Sequence, residues 1–161
     1  CHNTYMQAAL QEAKKAALAD EVPIGAVITH QGTIIASAGN RVERDKNPTA
    51  HAEMIVTQEA AKILGEKRLP ECDLYVTLEP CTMCAGAIAH ARIRNLVIAA
   101  KDPKGGGVFH GARFFDQPTC HHHPEIIHLP EHEATAGDML RNFFKTKREA
   151  KKKDKEKDVS A

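Results

Sequence analysis

Apolar positions along the chain switch between helical and strand spacing, and this switching predicts the order of the elements. An apolar stripe in an alanine- and lysine-rich segment predicts an opening helix. Short runs rich in valine and isoleucine predict strands, the first two paired in a hairpin. The predicted elements are a helix over about 4–19, strands over 22–28 and 33–38 with a turn at Gln31-Gly32, a helix from 51 to about 64, strands over 74–78 and 93–99, a glycine-rich loop over 101–115, a strand over 125–129 and a helix from 132 to about 153. Strands that alternate with helices after a hairpin indicate a mixed sheet covered by helices.

Length and composition are typical of one globular domain. The chain has 161 residues and a net charge of +1, with 42% hydrophobic and 27% charged residues. Since no apolar run reaches membrane-spanning length and no signal peptide opens the chain, we expect a cytoplasmic protein without a membrane partner. We predict one domain over 1–150 and a charged tail over 151–161 that frays. Because the first residue is Cys1, we expect the native start to precede it or to be processed.

Two short stretches carry the candidate chemistry. Residues 49–54 contain H-x-E, and residues 77–84 contain P-C-x-x-C, a combination that is the signature of zinc deaminases. Zinc favours imidazole and thiolate ligands, and a catalytic zinc has three protein ligands and one open position. We therefore predict that His51, Cys81 and Cys84 hold one Zn²⁺ per subunit. Glu53 is then free to act as the catalytic acid and base.

The local sequence predicts that both stretches lie at helix starts. Thr49 is the expected N-cap of one helix, and Pro80 suits the first position of the other. Two helix N-termini would favour thiolates at a shared ion. The alternatives are a closed structural zinc site, which lacks its fourth ligand, and a redox pair, which leaves H-x-E unexplained.

Cysteine count argues against a disulfide framework. Of five cysteines, two are predicted zinc ligands, which leaves Cys1, Cys72 and Cys120. An odd remainder favours a reducing cytoplasm and no disulfide partner.

With both motifs on this order of elements, the sequence resembles the bacterial tRNA-specific adenosine deaminases of the cytidine-deaminase-like superfamily. The resemblance extends over nearly the whole chain and is strongest over 21–27, 39–41, 47–53 and 77–87. It implies a three-layer α/β/α fold with a mixed five-stranded sheet and helices on both faces. It also implies a homodimer that hydrolyses the wobble adenosine of a tRNA anticodon stem-loop to inosine. The base would flip into the zinc pocket, a behaviour for which this family is itself a known example. There a zinc-bound hydroxide would attack C6 of the adenine while Glu53 moves protons.

The resemblance further implies residues that bind the substrate. Asn40 matches a base-contacting asparagine, and the Ala52 backbone amide is a second partner for the base. The RNA-facing residues are Asp102 and Lys104 in the glycine-rich loop, and Phe143, Phe144, Lys147 and Arg148 in the terminal helix. The alternatives are a loop-capping Asn40, a solvated turn in the loop, and phenylalanines that only anchor the helix. Lysines at 145 and 147 stand where arginines are common in the family, and lysine lacks the bidentate fork.

The histidines at 121–123 look like a metal cluster, but adjacent residues do not easily converge on one ion. We expect them in a loop near the substrate, with His122 or His123 facing RNA.

Two other functions stay open. One is a deaminase of a free nucleobase or nucleotide, of the guanine or cytosine type, which the zinc motif fits equally well. The other is a non-catalytic, zinc-containing RNA-binding module, which would leave Glu53 without a role. The basic terminal helix and the open glycine-rich loop favour an RNA substrate, although a net charge of +1 is a weak RNA signal.

Overall fold

One mixed five-stranded sheet organises the chain, which a computed structural model describes from residue 1 to residue 160, with side chains to residue 156. The elements are α1 (His2–Leu18), β1 (Gly25–His30), β2 (Thr33–Gly39), α2 (Ala52–Leu64), β3 (Cys72–Leu78), α3 (Thr82–His90), β4 (Asn95–Ala100), β5 (Glu125–His128) and α4 (Glu133–Ser160), with 3-10 turns at Phe114–Asp116 and Pro130–His132. The strand order is β2-β1-β3-β4-β5. β1 is antiparallel to β2 and β3, whereas β3, β4 and β5 are parallel. The mixed five-stranded sheet is therefore confirmed.

Helices cover both faces of the sheet. Alternate residues of β1 point to opposite sides, so Ile28 belongs to one core and Val27 to the other. The first core contains buried residues of α2 and α3, such as Val56 and Ile88. The second contains residues of α1 and α4, such as Met6 and Ala136. This arrangement confirms the three-layer α/β/α architecture.

The hairpin and the terminal helix differ in how well their ends were predicted. Gln31 and Gly32 both have positive φ, 51° and 77°, as a tight turn between antiparallel strands requires. Helix α4 runs through Ser160, past the predicted end near residue 153, because lysine and glutamate favour helix. The division into a domain over 1–150 and a tail stays a prediction. Across the described residues, no helix is long and apolar enough to cross a bilayer.

One edge of the sheet gathers the loops that matter for function. β3 and β4 are parallel, so their carboxyl ends meet there, and antiparallel β1 begins at the same edge. Helix α3 starts directly after β3, and α2 starts after the loop that follows β2. Clefts at the carboxyl ends of parallel strands are common ligand sites.

Candidate active site

His51, Cys81 and Cys84 converge at the starts of α2 and α3. His51 is the N-cap of α2 and Cys81 the N-cap of α3, while Cys84 lies in the first turn of α3. His51 Nδ1 lies 3.7 Å from Cys81 Sγ and 3.5 Å from Cys84 Sγ. All three ligand atoms lie within 4.8 Å of one another. In a tetrahedral zinc site with ordinary bond lengths, nitrogen and sulfur are about 3.6 Å apart. The donor set and its spacing therefore fit a zinc ion.

Both helices begin later in the chain than predicted, α2 at Ala52 and α3 at Thr82. Thr49 is not the N-cap of α2, because the helix begins at Ala52 with His51 as its N-cap. The Thr49 N–H and hydroxyl donate to Asn47 Oδ1, at 3.0 and 2.8 Å, in a turn before the helix. Pro80 is not the first residue of α3, because Cys81 caps a helix that begins at Thr82. The candidate ligands His51 and Cys81 thus occupy the cap positions themselves, at the positive ends of the two helices.

Glu53 is a buried carboxylate without a hydrogen bond for one oxygen. It follows His51 in the first turn of α2 and is 4% exposed. Its Oε1 is the one buried side-chain polar atom without a partner among the described residues. Burial raises the pKa of Glu53 to about 7. A carboxyl group of this kind can both take up and release a proton near neutral pH.

The two cysteines share a proton when no metal is bound. A hydrogen bond from Cys84 lowers the pKa of the Cys81 thiol to about 4. The same bond and burial raise the pKa of Cys84. The bond to Cys81 also raises the pKa of His51. A metal held by these groups would displace the shared proton, since both sulfurs bind metal as thiolates.

Asn40 links the loop after β2 to the start of α2. The residue is buried, and its side-chain Oδ1 accepts a hydrogen bond from the Ala52 N–H at 2.8 Å. The Ala52 amide was predicted as a partner for the base, but the structure gives its N–H to Asn40. Asn40 Nδ2 makes no hydrogen bond to any described residue and, unlike Glu53 Oε1, is not fully buried. The side chain therefore caps α2 with its oxygen and keeps an amide donor for a ligand.

Four of the six predicted RNA-facing residues line one cleft. The cleft has a volume of about 590 Å³ and lies between α4 and the loop after β4, and its lining includes Asp102, Lys104, Phe144 and Arg148. Phe144 is 45% exposed, which leaves its ring accessible. Asp102 Oδ1 accepts from the N–H groups of Lys104 and Gly105, at 3.1 and 3.0 Å, so it also closes the turn.

The other two predicted residues, Phe143 and Lys147, are absent from the lining of this cleft. Lys147 Nζ lies 2.6 Å from Asp20 Oδ1 and 5.7 Å from the centre of the Phe143 ring. An ion pair and a cation–π contact therefore hold Lys147 away from a free phosphate-binding position.

Glu79, which precedes the Cys motif, holds the glycine-rich loop, and sequence reasoning missed this role. The carboxylate is 2% exposed. It accepts hydrogen bonds from the backbone N–H groups of Asp102 (3.0 Å), Val108 (3.1 Å), Phe109 (2.9 Å) and His110 (3.1 Å), and His110 Nδ1 lies 2.9 Å away. A Cβ on Gly106 would lie 2.1 Å from Glu79 Oε2, so only glycine fits there. The only signal in the sequence is an acidic residue at the end of a buried strand.

The histidines at 121–123 were expected near the substrate, and the structure places them elsewhere. His122 Nε2 lies 2.7 Å from the Ile93 carbonyl oxygen, just before β4. His121 and His122 line a pocket with His90, the last residue of α3. The metal-ligand set lies at the first turn of α3, about 13 Å away along the helix. These histidines therefore lie at the edge of the sheet opposite the candidate site.

Comparisons with known proteins agree with this geometry. The model of the MafB19-like deaminase family matches residues 1–148. A tRNA-specific adenosine deaminase of Agrobacterium fabrum is 54% identical over 145 residues, covering 89% of this chain and 94% of the relative. One from Bacillus subtilis is 45% identical over 148 residues, covering 92% and 91%.

Solved structures of deaminases are also similar to this chain. A structure from a study of A-to-I editing by tRNA:A34 deaminases at the wobble position of transfer RNA has a TM-score of 0.83 and 52% identity, covering 86% of this chain and 99% of that one. A guanine deaminase from Bacillus subtilis has a TM-score of 0.63 and 33% identity, covering 88% and 94%. Because the family model and these relatives match nearly the whole chain, it belongs to the MafB19-like deaminases, together with the tRNA-specific adenosine deaminases.

Proposed function

We propose that the protein hydrolytically deaminates adenosine to inosine at the wobble position of a tRNA anticodon. The observation that carries this proposal is the buried Glu53 carboxylate, with an unpartnered oxygen, beside a three-ligand metal set. A structural zinc module has no use for such a group. The tRNA-specific adenosine deaminases among its relatives support the substrate. We also propose a cytoplasmic homodimer with one zinc per subunit, as in the family that the sequence resembles.

The metal ligands and Glu53 divide the chemistry between them. His51, Cys81 and Cys84 would hold zinc, which when bound makes water a nucleophile near neutral pH. Glu53, buried beside this set with Oε1 unpartnered, would take up a proton and deliver it to the amino group that leaves the base. Both steps need a carboxyl group with a free oxygen, and Oε1 of Glu53 has no hydrogen-bond partner among the described residues.

Asn40 orients the base through its free amide donor. Its Oδ1 is engaged by the Ala52 N–H, so Nδ2 is the group that remains. Nδ2 can only donate, and the acceptors of adenine in the plane of the ring are its ring nitrogens. The base must leave its stack to come within reach, which costs less in a single-stranded loop than in a duplex.

The cleft between α4 and the loop after β4 would take the flanking nucleotides. Lys104 and Arg148 offer charge for phosphates, and the exposed Phe144 ring offers a stacking surface for a base. Asp102 Oδ2 is free to accept from a ribose hydroxyl, because Oδ1 closes the turn. A free nucleobase has no use for these groups, so the cleft favours RNA.

A guanine deaminase is the second candidate, because one from Bacillus subtilis shares the fold and 33% identity. The test is to supply purified zinc-loaded protein with an anticodon stem-loop containing a wobble adenosine and, in parallel, with free guanine, adenosine and cytidine. We expect inosine in the stem-loop and no turnover of the free compounds. Xanthine from guanine, with an unmodified stem-loop, would refute the proposed function and establish the alternative.

A further inference from the structure

Glu21 is a second buried carboxylate that the proposed chemistry does not use. It lies between α1 and β1 and is 1% exposed. It accepts hydrogen bonds from the backbone N–H groups of Glu43 (3.0 Å) and Arg44 (2.8 Å), and from Arg44 Nε at 3.1 Å. Burial of a carboxylate is tolerated when several donors replace its water. These three bonds fix the middle of the loop that joins β2 to α2.

Arg44 extends this anchor to Asn40. Its Nη2 donates to the Asn40 carbonyl oxygen at 3.0 Å while its Nε binds Glu21. The Asn40 N–H donates to the Ile24 carbonyl at 3.1 Å, and its Oδ1 receives the Ala52 N–H. The backbone carbonyl, the backbone N–H and the side-chain Oδ1 of Asn40 are therefore all hydrogen-bonded. Among its polar atoms, only Nδ2 has no partner in the described residues.

The position of Asn40 is set by these bonds and not by regular structure. Residues 40–51 form no helix or strand, so individual hydrogen bonds define the loop. Besides the side-chain bonds, these include backbone bonds from the Asn40 N–H to the Ile24 carbonyl and from the Arg41 N–H to the Ala50 carbonyl, at 3.1 and 2.9 Å. Among the described residues, Arg44 is the one side chain that hydrogen-bonds to both the Glu21 carboxylate and the Asn40 backbone. We propose that Arg44, anchored by Glu21, is a positioning residue that sets where Asn40 Nδ2 points, and so how the target base is oriented. This inference rests on the proposed function of Asn40.

A double-mutant cycle separates positioning from a merely structural role. The variants are Arg44→Ala, Asn40→Ala and the double variant, with Asp45→Ala as matched control. Asp45 lies on the same loop, but its carboxylate pairs with exposed Arg41. The measurements are the single-turnover deamination rate at saturating stem-loop, the Kd of the stem-loop, and zinc content.

We expect Arg44→Ala to lower the rate roughly three- to tenfold, the loss typical of one hydrogen bond. Kd and its salt dependence should stay within about twofold, as should every value for Asp45→Ala. In the Asn40→Ala background, Arg44→Ala should change the rate less than about twofold, since residues that act as one unit are not additive. Two losses that multiply, or a weaker Kd with a shallower salt dependence, would overturn the proposal, because Arg44 would then act on the RNA or elsewhere.

Hydrogen exchange of the Ala52 amide tests the same inference without RNA. If Arg44 positions Asn40, the Ala52 N–H should exchange at least about tenfold faster in Arg44→Ala than in Asp45→Ala. Equal exchange in the two variants would refute the positioning role. A parent protein that fails to deaminate any stem-loop would refute the proposed function alone, and the exchange result would still decide the role of Arg44.

Discussion

Replacing Glu79 with alanine should destabilise the fold strongly, although the residue is not a metal ligand. The change removes the acceptor of four backbone N–H groups and the partner of His110. A buried N–H without a partner costs about 1–3 kcal/mol, and groups that water can reach cost less. The Val108 bond is buried and the others are partly buried, so we expect a total loss of about 3–5 kcal/mol from the four N–H groups. That is a large part of the stability of a typical domain.

Glu79→Gln should cost less, and the structure indicates how much. Three N–H groups bind Oε2, whereas Oε1 receives only the Asp102 N–H and His110 Nδ1. The glutamine oxygen should therefore take the Oε2 position, with its NH₂ group facing His110, whose ring can accept after a change of tautomer. Only the Asp102 N–H is then left unpaired, a loss of about 1–3 kcal/mol.

Urea unfolding of the zinc-loaded variants measures both losses, provided that the slope m is unchanged. The matched control is Asp73→Ala, since Asp73 also has three side-chain donors within reach, two from Arg94 at 3.0 Å and one from Asn95 at 2.9 Å. Arg94 is half exposed, so this pair should contribute about 1 kcal/mol or less. If Glu79→Ala costs no more than Asp73→Ala, the loop is not held by the carboxylate and the reasoning is wrong.

Three further outcomes are expected. Glu53→Gln should keep one zinc per subunit by elemental analysis but deaminate at least about a hundredfold more slowly. Cys84→Ala should lose the metal. Metal loss in Glu53→Gln would contradict the role assigned to Glu53. Burial alone would raise the pKa of Glu79, but the N–H donors outweigh burial and lower this pKa from its usual value of 4.5. The contribution of Glu79 to stability should therefore be present above pH 4.5 and should be lost as the pH falls through the folded-state pKa. Unfolding of the parent and of Glu79→Gln at several pH values should therefore show a difference that shrinks in acid. Arg148→Ala should weaken stem-loop binding and reduce the salt slope by about 1, whereas Lys147→Ala, already paired, should change binding less; equal effects would place both at the RNA.

The order of helices and strands could be predicted because each element has a distinct hydrophobic period. Element ends were less predictable, because they depend on hydrogen bonds that the pattern does not contain. Thr49 is a good N-cap by residue type, but Asn47 takes both its donors and the helix begins later. Terminal helix α4 runs further than predicted for a related reason, since its charged residues suit a helix as well as a frayed tail.

That His51, Cys81 and Cys84 come together could be predicted, because zinc chemistry limits both residue type and spacing. Contacts from side chain to distant backbone could not, since the sequence does not say which N–H a carboxylate or amide will meet. Asn40 meets Ala52 twelve residues away, and Glu79 meets N–H groups 23 to 31 residues away. The histidines at 121–123 show the opposite error: a conspicuous run suggested function, while His122 binds a backbone carbonyl at the far edge.

Three buried glutamates lie near the candidate site, and the hydrogen-bond donors around each one distinguish a structural role from a catalytic role. Glu21 precedes β1 and Glu79 follows β3, and because these strands are antiparallel both carboxylates lie at the edge where α2 and α3 begin. Burial would raise the pKa of either residue, but backbone N–H groups outweigh it and lower both pKa values. For Glu53 burial prevails and raises the pKa to about 7. A carboxylate saturated with N–H donors stays charged and holds a loop, whereas one with an unpartnered oxygen is free to exchange protons. This difference, and not burial itself, supports the proposal that Glu53 is the acid and base.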